Sequence, residues 1–205
     1  MTANISEDWG LSFSDLLFLA DQPEGMRLEI ALQLCHLRRT GRFIEDWSYV
    51  PSEVVSYVAG QVERPADYPT SLFDDRRSRR YRIRVAEHLG FSRPRQTDLA
   101  EFETWLLKDV VQRGGSVSET IELGGQWFLD GKLVSPSEQA LERIVRSVRQ
   151  RFLDSYLASV AALLSDSAAL ELEACLTDPR GRTGFQRLKG DVGAATLDNV
   201  LDAAH

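Results

Sequence analysis

Apolar positions recur every three to four residues through most of this chain, and no segment shows the period-two alternation of a half-buried strand. Leu16, Leu17 and Leu19 follow Ser12 and Asp15, a serine with an acid three positions on, which predicts a capped helix over Leu11 to Ala20. Asp21 to Gly25, with Pro23 inside it, breaks that helix. The next runs from Met26 to about Arg39 with Leu28, Ala31, Leu32 and Cys35 on one face. Ile30, Leu34 and Leu37 widen the face so far round the helix that it belongs at the centre of a bundle. Arg38 and Arg39 suit its carbonyl end, and Gly41 suits its C-cap.

Pro51 opens a short helix, with Val54, Val55 and Val58 inward, that ends near Gly60. Three helices in this length could form a compact bundle, with a helix-turn-helix variant as one possibility. An arginine-rich helix follows and ends at Gly90. Ser92 to Gln96 reads as a basic turn, and Thr97 or Asp98 as the cap of a helix carrying Leu99, Phe102, Leu106 and Val110 up to Gly114 and Gly115. Ser116 and Glu119 form another capping box, ahead of Ile121, Trp127, Phe128 and Leu129; Gly124 and Gly125 predict a kink there. Ser135, Pro136 and Glu138 predict a further start, with Leu141, Ile144, Val145, Val148 and Phe152 inward. Leu153 to Leu176 reads as helix, Thr177 to Val192 as a loop or partial helix, and Thr196 to Ala204 as a last short helix. The expected class is all-α, in multi-helix bundles. We expect two small subdomains, residues 1–68 and 69–205, of helix-turn-helix-like character.

Charge changes this picture. The chain holds 24 basic and 31 acidic residues, for a net charge of −7. Between Arg76 and Arg95 there are eight arginines and one acid, Glu87, while the remainder carries 16 basic and 30 acidic residues. A contrast of sign this sharp points to an anionic partner met by one surface. On a helical wheel Tyr81, Val85 and Leu89 form an apolar stripe. Arg76, Arg80 and Arg84 form a second stripe about a third of a turn away, with Arg77 beside it. The guanidinium fork matches phosphate oxygens and guanine edges; the plainer alternative is a solvated face paired with acids elsewhere. Arg143, Arg146 and Arg149 make a second cationic surface, weakened by Glu138 and Glu142.

Other chemistry is sparse. His36 reads as a core or boundary residue, His88 as a cation at a helix end, and His205 as terminal. Cys35 and Cys175 read as core thiols in a reducing compartment. No zinc spacing, phosphate loop, dinucleotide fingerprint or nucleophile elbow is present in the sequence. The expectation is therefore no catalytic residue, no metal site, no cofactor and no enzyme activity within these residues. No apolar run reaches the roughly 20 residues of a membrane span.

Two motifs carry a family resemblance. The run RLEIALQLCHLRRTGRF from Arg27 to Phe43, followed by VPSEVVSYV from Val50 to Val58, resembles the N-terminal domain of Tn-three-type replicative transposases. That family shows LQLC-x-LR-x-x-GRF and then P-x-E-V-V-x-x-V. Three later stretches also fit: the arginine-rich segment ending at His88 to Phe91, the helix with Trp105, and Val134 to Pro136 leading to Leu141 to Val145. The resemblance spans about Leu11 to Leu188, with one departure, Tyr81, where the family pattern implies histidine.

What the resemblance implies is a helical unit that recognises the terminal inverted repeats of a transposon. Catalysis would lie in a separate C-terminal domain that uses acids and a divalent metal, so the chain looks like an N-terminal fragment or truncated relative. The expected partner is double-stranded DNA, with homo-oligomers on DNA ends, no membrane, and a bacterial cytoplasmic, nucleoid-associated location. Arg76, Arg77, Arg80 and Arg84 are the leading contacts, flanked by Arg79, Arg82, Arg93 and Arg95. Arg143, Arg146 and Arg149 come second. The rival expectation is a helical interaction module for transposase assembly or synapsis.

Overall fold

The computed structural model describes residues 5–67 and 76–176, with backbone alone for Arg76, Arg77, Glu171 and residues 174–176. The loop and last helix expected after Leu176, and the segment between Tyr68 and Asp75, lie outside the described residues. Those described are all-α: helices alternate with short turns, and the one β-type pairing is an isolated parallel bridge between Ser92 and Leu133.

The helices of the first half are α1 (Ile5–Trp9), α2 (Phe13–Ala20), α3 (Arg27–Thr40), α4 (Ser52–Gln61) and α5 (Arg76–His88). Local chemistry sets their ends. Ser12 Oγ accepts from the Asp15 amide at 3.2 Å while the Asp15 carboxylate accepts from the Ser12 amide at 2.8 Å, closing the expected capping box. Gly41 caps α3 in the left-handed region at φ +69°, where a glycine costs nothing. α3 is the central support: α1, α2, α4 and α5 all pack on it. Its positions Ile30, Ala31, Leu32, Leu34, Cys35 and Leu37 are almost fully buried, because four neighbours leave it little outer face.

The second half holds α6 (Gln96–Trp105), α7 (Val117–Asp130) and α8 (Glu138–Ala161). A π turn over Leu106–Val110 and a 3₁₀ turn over Val111–Arg113 extend α6 to Gly114. Phe102 is fully buried amid Trp105, Trp127 and Phe128, with ring centroids 4.7 to 5.8 Å away. Leu106, Leu141, Val145 and Val148 complete this second core.

Three expectations change here. α7 runs unbroken through Gly124 and Gly125. A Cβ on Gly124 would stand 3.0 Å from Phe102 Cζ, so the glycine answers a packing demand and marks no kink. α6 is capped from its third position, where Asp98 accepts from the Arg95 amide at 2.6 Å. At α8 it is Ser137, not Ser135, that accepts the amide of the first turn, from Ala140 at 3.3 Å. Ser135 is buried, and its amide donates to the Gly41 carbonyl at 2.8 Å.

α5 packs into the α3 core through Val85 and Ala86, joined by Phe91, so the arginine-rich helix shares one core with the segment before residue 68. The connection from α4 to α5, residues 62–75, is far longer than the three or four residues of a helix-turn-helix turn. Backbone bonds tie the two cores together: Ser92 donates to Lys132 at 2.9 Å and Val134 to Ser92 at 2.8 Å. Residues 1–152 form one compact unit and 153–205 another. In the second, the described residues are the end of α8, a short turn, and α9 (Asp166–Leu176). Leu153, Tyr156, Leu157, Leu163 and Leu170 are exposed there.

Candidate nucleic-acid interface

α5 is held by one face and by its end. Val85 and Ala86 are buried and Tyr81 and Leu89 half-buried, as the apolar stripe predicts, and Ser78 is buried one turn earlier. At the C-terminal end His88 Nε2 lies 2.9 Å from Asp15 Oδ1 on α2, and its ring stacks on Phe18 at 4.4 Å. The same carboxylate accepts from Arg38 Nη2 at 2.5 Å, so one aspartate joins α2, α3 and α5. Burial alone would raise the Asp15 pKa. Hydrogen bonds from Arg38, His88 and Ser12 outweigh it and bring the carboxyl down to about 2.

With that side occupied, Arg79, Arg80, Ile83, Arg84 and Glu87 share the outward face. Arg79 and Arg80 form no ion pair among the described residues, and Arg84 rests 5.9 Å from the Phe18 ring centroid. Arg76 and Arg77 open the same helix, their side chains outside the described part. Arg93 and Arg95 are exposed on the link from α5 to α6. Arg82 is placed differently. Its Nη2 donates to the Ile44 carbonyl at 3.2 Å and its guanidinium lies 5.5 Å from the Phe43 centroid, so it braces the chain after α3. Its position, about 60° round the helix from Val85, carries that signal.

The arginines of α8 meet other partners. Arg146 makes two bonds to Glu142 Oε1, at 2.8 and 2.6 Å, and Arg149 donates to the Gly115 carbonyl at 2.8 Å. Arg143 is exposed. The two groups are thus brought to the surface in different states, α5 open and α8 largely engaged.

Sequence reasoning missed two features. One is the Asp15–His88 contact, between residues 73 apart. The other is a cleft of about 550 Å³ at the end of α3, with Trp9, His36, Arg39, Arg42 and Tyr49 among its lining. His36 is half-buried there, and burial together with Arg39 and Arg42 brings its pKa down to about 4. The Cys35 thiol, pushed up to about 12 by burial, is 3.6 Å from the Trp9 carbonyl and is an inert core group. Among the described residues no cluster of three or more His, Cys, Asp or Glu could hold a metal ion, and no helix is long and apolar enough to cross a membrane.

No curated protein matches the chain. A family described as a domain of unknown function, DUF4158, matches residues 2–148, which include both cores and every arginine of α5. By that match the chain belongs to the DUF4158 family.

Proposed function

We propose that this chain binds double-stranded DNA through the outward face of α5, and does so as the N-terminal part of a replicative transposase that recognises terminal inverted repeats. One observation carries the DNA reading: α5 is fixed by its inner face and by Asp15, while Arg79, Arg80 and Arg84 stand in solvent with no acid paired to them among the described residues. A rigid helix presenting guanidinium forks can meet phosphates for register and reach one or two base edges. The acidic remainder of the chain repels DNA elsewhere and so orients the approach. The transposase assignment rests on the motifs from Arg27 to Phe43 and Val50 to Val58. On that reading strand cutting, and the divalent metal it needs, belong to a separate catalytic domain, and the protein works at the bacterial nucleoid.

Arg143 and its neighbours on α8 serve as a secondary contact. Titrating inverted-repeat DNA across a series of salt concentrations tests the assignment. Replacing Arg80 and Arg84 by alanine flattens the dependence of log K on log salt by roughly 0.9 per lost phosphate contact. A wild-type slope in that variant would sink the reading. A second reading, self-association during synapsis, is favoured by the exposed Leu153, Tyr156 and Leu157. A dimer seen by light scattering at high salt without DNA, together with no end-specific binding, would select it.

A further inference from the structure

We propose that the cleft at the C-terminal end of α3 binds a single unpaired nucleotide, its phosphate on Arg39 and Arg42 and its base on Tyr49. The volume, about 550 Å³, lies in the range of small-ligand sites. Its cations are positioned but not used up. Arg39 lies 5.0 Å over the buried Trp9 ring, which holds the guanidinium in place, and its nearest acid, Asp8, is 3.6 Å away. Arg42 stands 3.9 Å from Glu138 and makes a long 3.4 Å contact to Ser135 Oγ. Ion pairs at those distances are too long to be hydrogen bonds, so donors on both guanidiniums remain for an incoming phosphate.

Tyr49 supplies the aromatic face. It is 84% exposed on a 3₁₀ turn beside the cleft, and among the described aromatic rings only Phe13, on α2 and outside the cleft lining, is comparably open. An open ring at the rim of an arginine-bearing cleft is what base stacking requires. His36, kept neutral, offers a hydrogen-bonding edge without adding charge. Three acids, Glu45, Asp46 and Glu138, line the cleft with Arg39, Arg42 and Arg82. Asp46 accepts from the Ser48 amide at 2.8 Å and Glu138 stands 3.9 Å from Arg42, so a phosphate would be held by the open donors of Arg39 and Arg42 and not by a net positive charge.

The cleft also adjoins the proposed interface. Arg82 lines it from the inner flank of α5, one turn after Arg79. A strand crossing Arg79 and Arg80 would therefore reach the cleft if its end were unpaired. Only this last step rests on the DNA-binding reading; recognition of a nucleotide does not.

Fluorescence anisotropy with a short labelled oligothymidylate, a flush duplex, and the same duplex carrying an unpaired thymidine extension tests the proposal. The extension should strengthen binding roughly tenfold, the equivalent of one base–aromatic stack. Tyr49→Ala should abolish that gain and leave the flush duplex unchanged, whereas Tyr49→Phe should keep it. Because Tyr49 is exposed, neither change threatens the core. Arg39→Ala with Arg42→Ala should weaken the oligothymidylate, with folding checked by thermal melt. Equal affinity for flush and extended duplexes overturns the proposal, as does an abasic extension that binds as tightly as thymidine. If the oligothymidylate binds at the cleft and the flush duplex does not, the nucleotide site stands while the role of α5 falls. If the flush duplex binds and the extension adds nothing, the reverse holds.

Discussion

Residues 5–67 and 76–91 gather around α3 and residues 99–152 around Phe102, and each half sends a basic helix, α5 or α8, to the surface. In the first half the polar anchoring lies beneath the helix. Asp15 is buried, with its side chain 2% exposed, and its two oxygens are shared among Ser12, Arg38 and His88. Of the arginines outside, Arg79 and Arg80 enter no ion pair among the described residues, and Arg84 meets only the Phe18 ring, at 5.9 Å. In the second half the core is aromatic and the ion pairs lie on the surface, where Glu142 takes Arg146 and Glu103 takes Arg151. The difference teaches that arginine spacing alone does not define a binding face. What counts is whether some other group already fixes the helix, leaving the guanidiniums unspent.

Matched variants test this contrast most directly in binding. Alanine at Arg143 and Arg149 should move the salt slope by less than half the change seen for Arg80 and Arg84, because α8 has fewer open guanidiniums to lose. Stability should separate the halves in the opposite sense. Asp15→Ala removes the buried carboxylate that Arg38 and His88 share, and its cost is about 3 kcal/mol, reduced from that of a fully buried pair because Arg38 is a third exposed. Glu142→Ala, at an exposed pair, should cost less than about 1 kcal/mol. Chemical denaturation of both variants reads the difference. Equal losses would show that the buried network does not anchor the first half.

Acid titration probes the same half with a smaller effect. His36 has a folded pKa of about 4 against an ordinary value of 6.5. Between those values the unfolded chain binds the proton more readily, so stability falls as pH drops from 6.5 through 4. The loss is on the order of 2 kcal/mol, and His36→Gln should flatten that window. Asp15 acts lower: its contribution is complete above 3.8 and disappears as pH falls toward about 2. Two separable steps in denaturation midpoint against pH would identify both groups; a single step that survives His36→Gln would exclude the histidine.

Much of the fold was legible because its signals are local. The boxes at Ser12 and Ser116 lie within four residues of chain, and the apolar face of α3 repeats at helical spacing. The outward course of Arg80 and Arg84 follows from the same periodicity. What could not be read depends on partners far along the chain: Asp15 with His88, Arg82 with Ile44, Ser135 with Gly41, and the cleft that joins α3 to Tyr49 and Glu138. A helical wheel shows which way a residue faces but not what stands opposite. The same limit explains why the two glycines of α7 suggested a kink.

Those glycines provide the finest comparison, since they are adjacent on one helix and differ only in what they face. Both should gain about 1 kcal/mol of helix propensity on becoming alanine. At Gly125 the new methyl would meet Arg42 Nη2 at 3.5 Å, an ordinary contact with a flexible side chain, so the gain should appear as added stability. At Gly124 it would meet Phe102 Cζ at 3.0 Å and Leu141 Cδ1 at 3.5 Å, both on fully buried side chains. The ring must shift within a packed aromatic cluster, a cost of roughly 1–3 kcal/mol that meets or exceeds the propensity gain. Gly125→Ala should therefore raise the melting temperature, while Gly124→Ala should lower it or leave it unchanged. Two equal increases would mean that Phe102 has room to move and that the second core is looser than its burial implies.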